Sequence, residues 1–172
     1  IQGMWKFLQF SVSYSDERGR IMHWMEQIDN SNITLVTYKN IHSLKWIVPY
    51  VTASPTFGSW HPQLSVGMRK PWLTMQTTAG DITLGKPMLI VQASNTFAFN
   101  KTLTGEVDFR YQGPGHYQNI YLDYHQTVLN VSLVKTFFHD RLSIKLAGED
   151  LLDRSRDGNR VYNQQVQLYQ GN

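Results

Sequence analysis

The chain has 172 residues, enough for one ordinary domain, and only 17% of them are charged, against roughly 25% in a typical soluble domain. A net charge of +3 from scattered basic residues lacks the electrostatic footprint of a nucleic-acid-binding protein. The absence of cysteine excludes a disulfide framework, a thiolate nucleophile and a cysteine-based metal site, and no apolar run approaches the roughly 18 residues of a transmembrane helix.

Alternation of apolar and polar residues, typical of β-strands, runs through the chain without helical periodicity. The predicted strands cover residues 5–14, 21–28, 33–53, 64–76, 87–100, 103–112, 121–137 and 142–152. The first strand aligns Leu8, Phe10, Val12 and Tyr14, and the third aligns Leu44, Trp46, Val48 and Tyr50. The polar stretch after residue 153 is predicted to be a loop.

The clearest alternation is L-T-G-E-V-D-F-R-Y-Q, residues 103–112. One face carries Leu103, Val107, Phe109 and Tyr111, interrupted by Gly105, and the other carries Thr104, Glu106, Asp108, Arg110 and Gln112. A soluble sheet with its apolar face in a core fits this pattern. A membrane barrel strand fits it too, with the apolar face on lipid and the charges in a wet lumen.

Strand length and the kind of connection favour the membrane barrel. Several predicted strands have 11 residues or more, whereas strands of globular domains usually have 5–6 and tilted membrane strands need about 9–11. Every second connection is tight (D-E-R-G, P-T-F-G, N-K-T and H-D), as in barrels with short periplasmic turns and longer external loops. Aromatic residues near predicted strand ends fit an interfacial girdle: Tyr14, Trp60, Trp72, Tyr111, Tyr121, Phe137 and Phe138.

The segment L-N-V-S-L-V-K-T-F-F-H-D-R-L-S-I-K-L-A-G-E-D-L-L-D, residues 129–153, resembles the closing strands of TonB-dependent outer-membrane receptors, in their outer-membrane β-barrel family. The shared features are K-T-F-F, then the turn H-D, then D-L-L-D. Upstream, residues 57–67, 86–89 and 95–100 also resemble the family, so the resemblance spans nearly the whole chain. Two departures are Leu152 in place of the usual aromatic and a chain that stops before a final strand with a terminal aromatic.

The resemblance implies an all-β, antiparallel, up-and-down transmembrane β-barrel in the outer membrane of a Gram-negative bacterium. About eight strands would form the C-terminal part of a larger barrel of about 22 strands. Residues 1–172 would be part of one barrel domain without the plug domain. Turns near Glu17, Pro55, Lys101 and His139 would be periplasmic, and the links near Asn30, Asp81 and Pro114 external. The implied partners are outer-membrane lipid, the plug domain, the remaining strands, the TonB energy-transducing complex and an unidentified small ligand.

The sequence offers candidate binding residues but no catalytic, metal or cofactor motif. The six histidines lack H-E-x-x-H spacing, and no G-x-S-x-G turn is present. The candidates for the lumen are Arg69, Glu106, Asp108, Arg110, Lys145 and Glu149. The candidates for ligand contact in external loops are Asp81, His116 and Tyr117, although an ordinary solvated histidine is the simpler interpretation of His116. Glu149, Asp150 and Asp153 are expected to be solvated rim charges rather than a calcium site.

Three functions remain open from the sequence. The first is a TonB-dependent receptor that imports a scarce nutrient without covalent chemistry, and therefore is not an enzyme. The second is a small complete eight-stranded barrel acting as an anchor or adhesin, against which the ending Y-Q-G-N counts. The third is a soluble carbohydrate-binding β-sandwich, in which Phe10, Leu129 and Ile144 would pack against a second sheet. The nutrient stays undetermined among siderophore, haem, cobalamin, glycan and peptide.

Overall fold

A computed structural model describes residues 1–27, 33–77, 80–139, 141–153, 158–162 and 167–171. Its described elements are all strands. They are β1 (Gln2–Trp5), β2 (Leu8–Gln27), β3 (Thr34–Ala53), β4 (Trp60–Thr77), β5 (Gly80–Leu84), β6 (Met88–Asn100), β7 (Leu103–Gln112), β8 (Gly115–Tyr117), β9 (Ile120–Leu122), β10 (Gln126–Phe137), β11 (Leu142–Gly148), β12 (Gly158–Tyr162) and β13 (Gln167–Gly171). No helix within these ranges is long and apolar enough to span a membrane.

The main sheet is antiparallel and follows an up-and-down order. Its path runs β1-β2-β3-β4-β6-β7-β10-β11, and β5 pairs with β4 beside this path. Each strand is therefore hydrogen-bonded to the next spanning strand along the chain, as the sequence predicted. Eight strands form the path. The connections after β1, β3, β6 and β10 have two to six residues, whereas those from β4 to β6 and from β7 to β10, at the other end of the sheet, are longer.

The predicted tight turn at D-E-R-G is wrong, because residues 16–19 lie inside the 20-residue strand β2. The register with β3 continues across this stretch, from Arg18 opposite Ser43 to Arg20 opposite Ile41. The actual first turn lies between β1 and β2 at Lys6, whose φ is 53°. The single strand β2 thus contains residues 8–14 and 21–27 of two predicted strands, while residue 28 lies outside the described residues. The short β1 brings the number of strands on the path back to eight.

Strands β2 and β3 have 20 residues each, which is more than a membrane crossing needs. Toward the end where β2 finishes and β3 begins, they contribute to a hydrophobic core. The less exposed residues of β2 change from odd-numbered positions (Ser11, Ser15 and Glu17) to even-numbered ones (Met22 and Trp24) across Gly19, whose φ of 62° is rarely adopted by residues that carry a side chain. Around this level a cluster forms from Met22, Trp24, Ile41, Leu44, Leu73 and Leu84, with Trp46 packed against it. Since a spanning strand needs only about 9–11 residues, the excess length projects outside the membrane.

A second sheet stands at the same end and has the order β13-β12-β9-β8. Residues 121–137 were predicted as one strand but are divided between β9 and β10, and β9 forms a hairpin with β8. The stretch after residue 153, predicted to be a loop, contains the hairpin of β12 and β13 within its described part. Its β12 pairs with β9, so long-range pairing gives this polar sequence a strand conformation.

The main sheet has two chemically distinct faces, called here the outer and the inner face. Cross-strand partners share a face, so one ladder of pairs defines each. Val66, Val91 and Tyr111 belong to the outer face. Ser65, Gln92 and Arg110 belong to the inner face. The predicted row Leu44, Trp46, Val48 and Tyr50 does share a face, but it is the inner one, because Tyr50 pairs with Gly67 and Trp46 with Pro71.

Candidate functional site: the two faces and the external pocket

The outer face is apolar and uncovered in this structure. Phe10, Val131 and Ile144 are 48%, 37% and 55% exposed, so no second protein layer packs on them. A β-sandwich would require these residues to pack against an opposing sheet. The predicted alternation of β7 is confirmed, with Val107 and Phe109 on the outer face and Asp108 on the inner face. An apolar face of this extent fits contact with hydrocarbon.

Aromatic rings mark the edge of the outer face at the short-turn end. Phe57, Trp60, Phe97 and Phe99 form a row in which successive ring centroids lie 5.2, 6.2 and 6.2 Å apart. The indole N–H of Trp60 donates a hydrogen bond to the Asn95 side chain at 3.1 Å. The Trp60 indole has an apolar ring system and a polar N–H, which suits the boundary between lipid and water.

Charged residues mark the opposite, external edge of the outer face. The Lys45 ammonium and the Arg18 guanidinium lie 3.6 and 3.3 Å from the Asp16 carboxylate. On β4 the Lys70 ammonium lies 5.3 Å from the Trp72 ring centroid. From Trp60 to Lys70 the strand rises about 33 Å, which a tilt of about 40° reduces to about 25 Å along the membrane normal. That height matches the apolar band of an outer-membrane barrel.

From β4 to β10 the inner face is mainly polar and internally hydrogen-bonded, whereas on β3 it carries the row Leu44, Trp46, Val48 and Tyr50. Ser94 Oγ donates to Asp108 at 2.6 Å, and Ser132 Oγ donates to Glu106 at 3.2 Å. A cavity of about 410 Å³ lies against this face, lined by Gln63, Ser65, Gln92, Ala93, Ser94, Asp108, Phe109, Arg110, Val128 and Asn130. The lining residues that belong to the inner face are mainly Ser, Gln, Asn and charged residues, so they form a wall that water can wet.

The six residues predicted for the lumen do not form one cluster. Glu106, Asp108 and Arg110 alternate along β7 on the inner face, and the register places Lys145 there opposite Val134. Arg69 lies on the same face but close to the external end. Glu149 follows the end of β11. Within the described ranges no three His, Asp or Glu side chains are arranged to hold a metal ion.

His116 is buried, not solvated as the simpler interpretation expected. Only 4% of this residue is exposed, and its Nδ1 accepts a hydrogen bond from the Lys86 backbone N–H at 2.8 Å. The His116 backbone N–H donates to the Lys86 carbonyl at 3.0 Å. Burial, aided by the charge of Lys86, lowers the pKa of His116 below its ordinary value. The imidazole therefore links two external connections by hydrogen bonding: the segment before β6 and the β8–β9 hairpin.

Gly115 allows this close approach of the hairpin. A Cβ atom at this position would lie 2.8 Å from the Pro87 carbonyl oxygen and 2.8 Å from the Met88 Cβ. The hairpin of β8 and β9 is thus held against the start of β6 by backbone proximity as well as by His116. Tyr117, the adjacent predicted residue, lies at the turn end of this hairpin.

A small pocket, called here the external pocket, lies between that hairpin and the inner face. It has a volume of about 190 Å³ and is lined by Arg20, Leu44, Trp46, Arg69, Pro71, His116, Tyr117 and Gln118. The Arg69 guanidinium lies 5.6 Å from the Tyr117 ring centroid. The sequence identified Arg69, His116 and Tyr117 as separate candidates. It did not identify Arg20, which was placed in a turn, or Trp46, which was placed only in the apolar row of a strand. Asp81 lies in β5, where the register pairs it with Gln76 of β4.

Comparison with known proteins agrees with this division into faces. Neither a curated protein nor a solved structure matches the chain significantly. One family model matches throughout, over residues 1–172. An antiparallel up-and-down sheet with an apolar outer face and a polar inner face is what that family's architecture requires. The chain therefore belongs to the outer membrane protein beta-barrel family and is located in the bacterial outer membrane.

Proposed function

We propose that the protein is a TonB-dependent receptor, which binds a scarce nutrient outside the cell and passes it through the barrel. The observation that carries the proposal is a polar, charged inner face on a sheet whose described edges are open. The work of such a protein is binding and gating, without covalent catalysis, so we propose no enzymatic activity and no cofactor.

The open edges favour a barrel larger than these eight strands. Among the described residues β1 pairs with β2 and β11 pairs with β10, but β1 and β11 do not pair with each other. Unpaired backbone N–H and C=O groups cost several kcal/mol each in hydrocarbon, so neither edge can face lipid. Additional strands completing a barrel of about 22 strands, the size of plugged transporters, would satisfy both edges.

The inner face supports a lumen that holds water, a plug domain or passing ligand. Asp108 and Arg110 are exposed on it, and the wall beside them is formed by Ser, Gln and Asn side chains. A barrel of only eight strands has an interior just wide enough for its own side chains to fill. A broad polar wall with uncovered charges therefore fits a wide lumen better than a small anchoring barrel.

The segment that resembles TonB-dependent receptors occupies a matching place in the fold. Lys135 and Phe137 end β10 at the short-turn end, and the Lys135 ammonium donates a hydrogen bond to Thr102 Oγ1 at 2.7 Å. Phe138 and His139 then form the turn with φ values of 52° and 54°, while Asp140 lies outside the described residues. This arrangement supports a periplasmic turn. Full-length partners in the proposal are the plug domain and the TonB energy-transducing complex.

Nutrient-limited growth tests the proposal. The gene is deleted, and cells receive a ferric siderophore, haem, cobalamin, a glycan or a peptide as the only source of the limiting element or of carbon. We expect slower growth on one of these sources, the same defect in a TonB-deficient strain, and no further defect when both changes are combined. Unchanged growth on all five sources would contradict the proposal, as would a defect that persists independently of TonB.

A further inference from the structure

The external pocket brings basic and aromatic side chains from four separate segments together. Its floor is the inner face of β3 and β4, and its roof is the turn of the β8–β9 hairpin. The hairpin is fixed by the buried His116 and by the close contact at Gly115. The pocket is consequently formed by residues already held in place.

Two guanidinium groups line the pocket and give it a positive character. Arg20 forms an ion pair with Glu17. Arg69 forms no ion pair within the described ranges and instead lies near the face of the Tyr117 ring, 5.6 Å from its centroid. A cation in a cleft with apolar walls attracts anions more strongly than one in open water. Arg69 is therefore the charge available to an incoming oxyanion.

The remaining walls suit a flat apolar group. Trp46 and Pro71 are paired neighbours on β3 and β4, and Leu44 continues the same wall. Tyr117 lies on the opposite side, so a ring can lie between aromatic surfaces while its acidic group reaches Arg69. A volume of about 190 Å³ is below the roughly 300–1,000 Å³ of pockets for whole drug-sized ligands. The space fits one end group of a larger molecule.

We propose that the external pocket binds the oxyanion-bearing ring of an external ligand, with Arg69 as the anion-binding residue. The acidic group is a carboxylate or a phosphate, since a guanidinium binds either through two parallel hydrogen bonds. Trp46 and Tyr117 position the ring. This inference rests on the proposed function only in identifying that ligand with the imported nutrient.

Binding to the intact protein in detergent tests the assignment with three probes of similar shape: benzoate, phenyl phosphate and benzamide. Ligand-observed NMR should show binding of at least one anionic probe, and about tenfold weaker binding of neutral benzamide. Arg69→Gln should weaken anion binding about tenfold, and Arg69→Lys should lose less. Lys101→Gln removes a charge from the β6–β7 turn, at the opposite end of the sheet from the pocket, and should leave binding unchanged. The preferred anionic probe distinguishes carboxylate from phosphate.

Tyr117→Leu provides a second variant on the external hairpin and should also weaken binding of the anionic probe. Heat-modified electrophoretic mobility verifies that each variant retains a folded barrel. Equal binding of benzamide and the anions, or undiminished anion binding in both the Arg69→Gln and Tyr117→Leu proteins, would overturn the assignment. These results do not depend on TonB, so loss of the pocket and loss of TonB-dependent uptake are separately detectable.

Discussion

An arginine at Val131 tests which medium contacts the outer face of β10. Val131 is 37% exposed and lies six residues above Phe137 at the short-turn end. At about 3.3 Å per residue and a tilt of about 40°, that separation is about 15 Å along the membrane normal, near the middle of the apolar band. Val131→Arg should therefore lower the free energy of unfolding by about 2–4 kcal/mol.

The matched control is Ser132→Arg, one residue further along the same strand on the inner face. Ser132 lies beside Glu106, so the new guanidinium gains an anionic neighbour and water, and the expected change is below about 1 kcal/mol. Denaturant-induced unfolding of the intact protein in lipid bilayers, followed by tryptophan fluorescence, measures both values. The Val131→Arg loss corresponds to roughly 30- to 800-fold in the folding equilibrium. Equal effects of the two substitutions would refute the assignment of lipid to the outer face.

Two further predictions concern the external hairpin. Because burial lowers the pKa of His116, its neutral form stabilises the hairpin above the ordinary pKa of 6.5, and this stabilisation is lost as the pH falls further. Hydrogen exchange of the Lys86 amide, corrected for intrinsic rates, should accelerate on acidification. An unchanged rate would be inconsistent with the hydrogen bond from this amide to His116 Nδ1. Gly115→Ala should make residues 113–125 more sensitive to protease, whereas Gly113→Ala should not, since a Cβ there has its nearest neighbour at 3.5 Å. Equal sensitivity of the two variants would contradict the steric requirement at Gly115.

The strand pattern was predictable wherever one face meets lipid. Residues 103–112 form β7 as predicted, because alternation over ten residues leaves one register that buries no charge in hydrocarbon. The interruption at Gly105 has a local explanation: the Phe99 ring lies over it, so that a Cβ would come within 2.9 Å of the ring. The aromatic ring fills the position that the alternation left empty.

The turns were less predictable, because local composition competes with long-range pairing. D-E-R-G has the residues of a turn, yet pairing with β3 extends the strand through it, and Asp16 is held by Lys45 and Arg18. The turn at Lys6 contains no Gly, Pro, Asn or Asp and so gave no signal. Tertiary pairing decided both positions.

The external pocket could not be predicted as a unit. Arg20, Trp46, Arg69 and Tyr117 come from four separate segments and meet only through the register of β2, β3 and β4 and the folding-back of the β8–β9 hairpin. The sequence identified Arg69 only as a lumen-facing charge, and His116 and Tyr117 only as external-loop residues. A correct prediction of the β2 extension would have placed Arg20 beside them.

Cysteine labelling at two adjacent residues tests the central claim most directly. The chain has no cysteine, and Ala93 and Ser94 lie on the outer and inner faces of β6. In intact outer membranes, Ser94→Cys should react with a charged, membrane-impermeant maleimide in a protein whose lumen is open to water. Ala93→Cys should resist the charged reagent in the folded protein and react with it after denaturation, because a thiol in hydrocarbon does not form the reactive thiolate. Labelling of Ala93→Cys by the charged reagent, with protection of Ser94→Cys from it, would contradict the membrane arrangement described above.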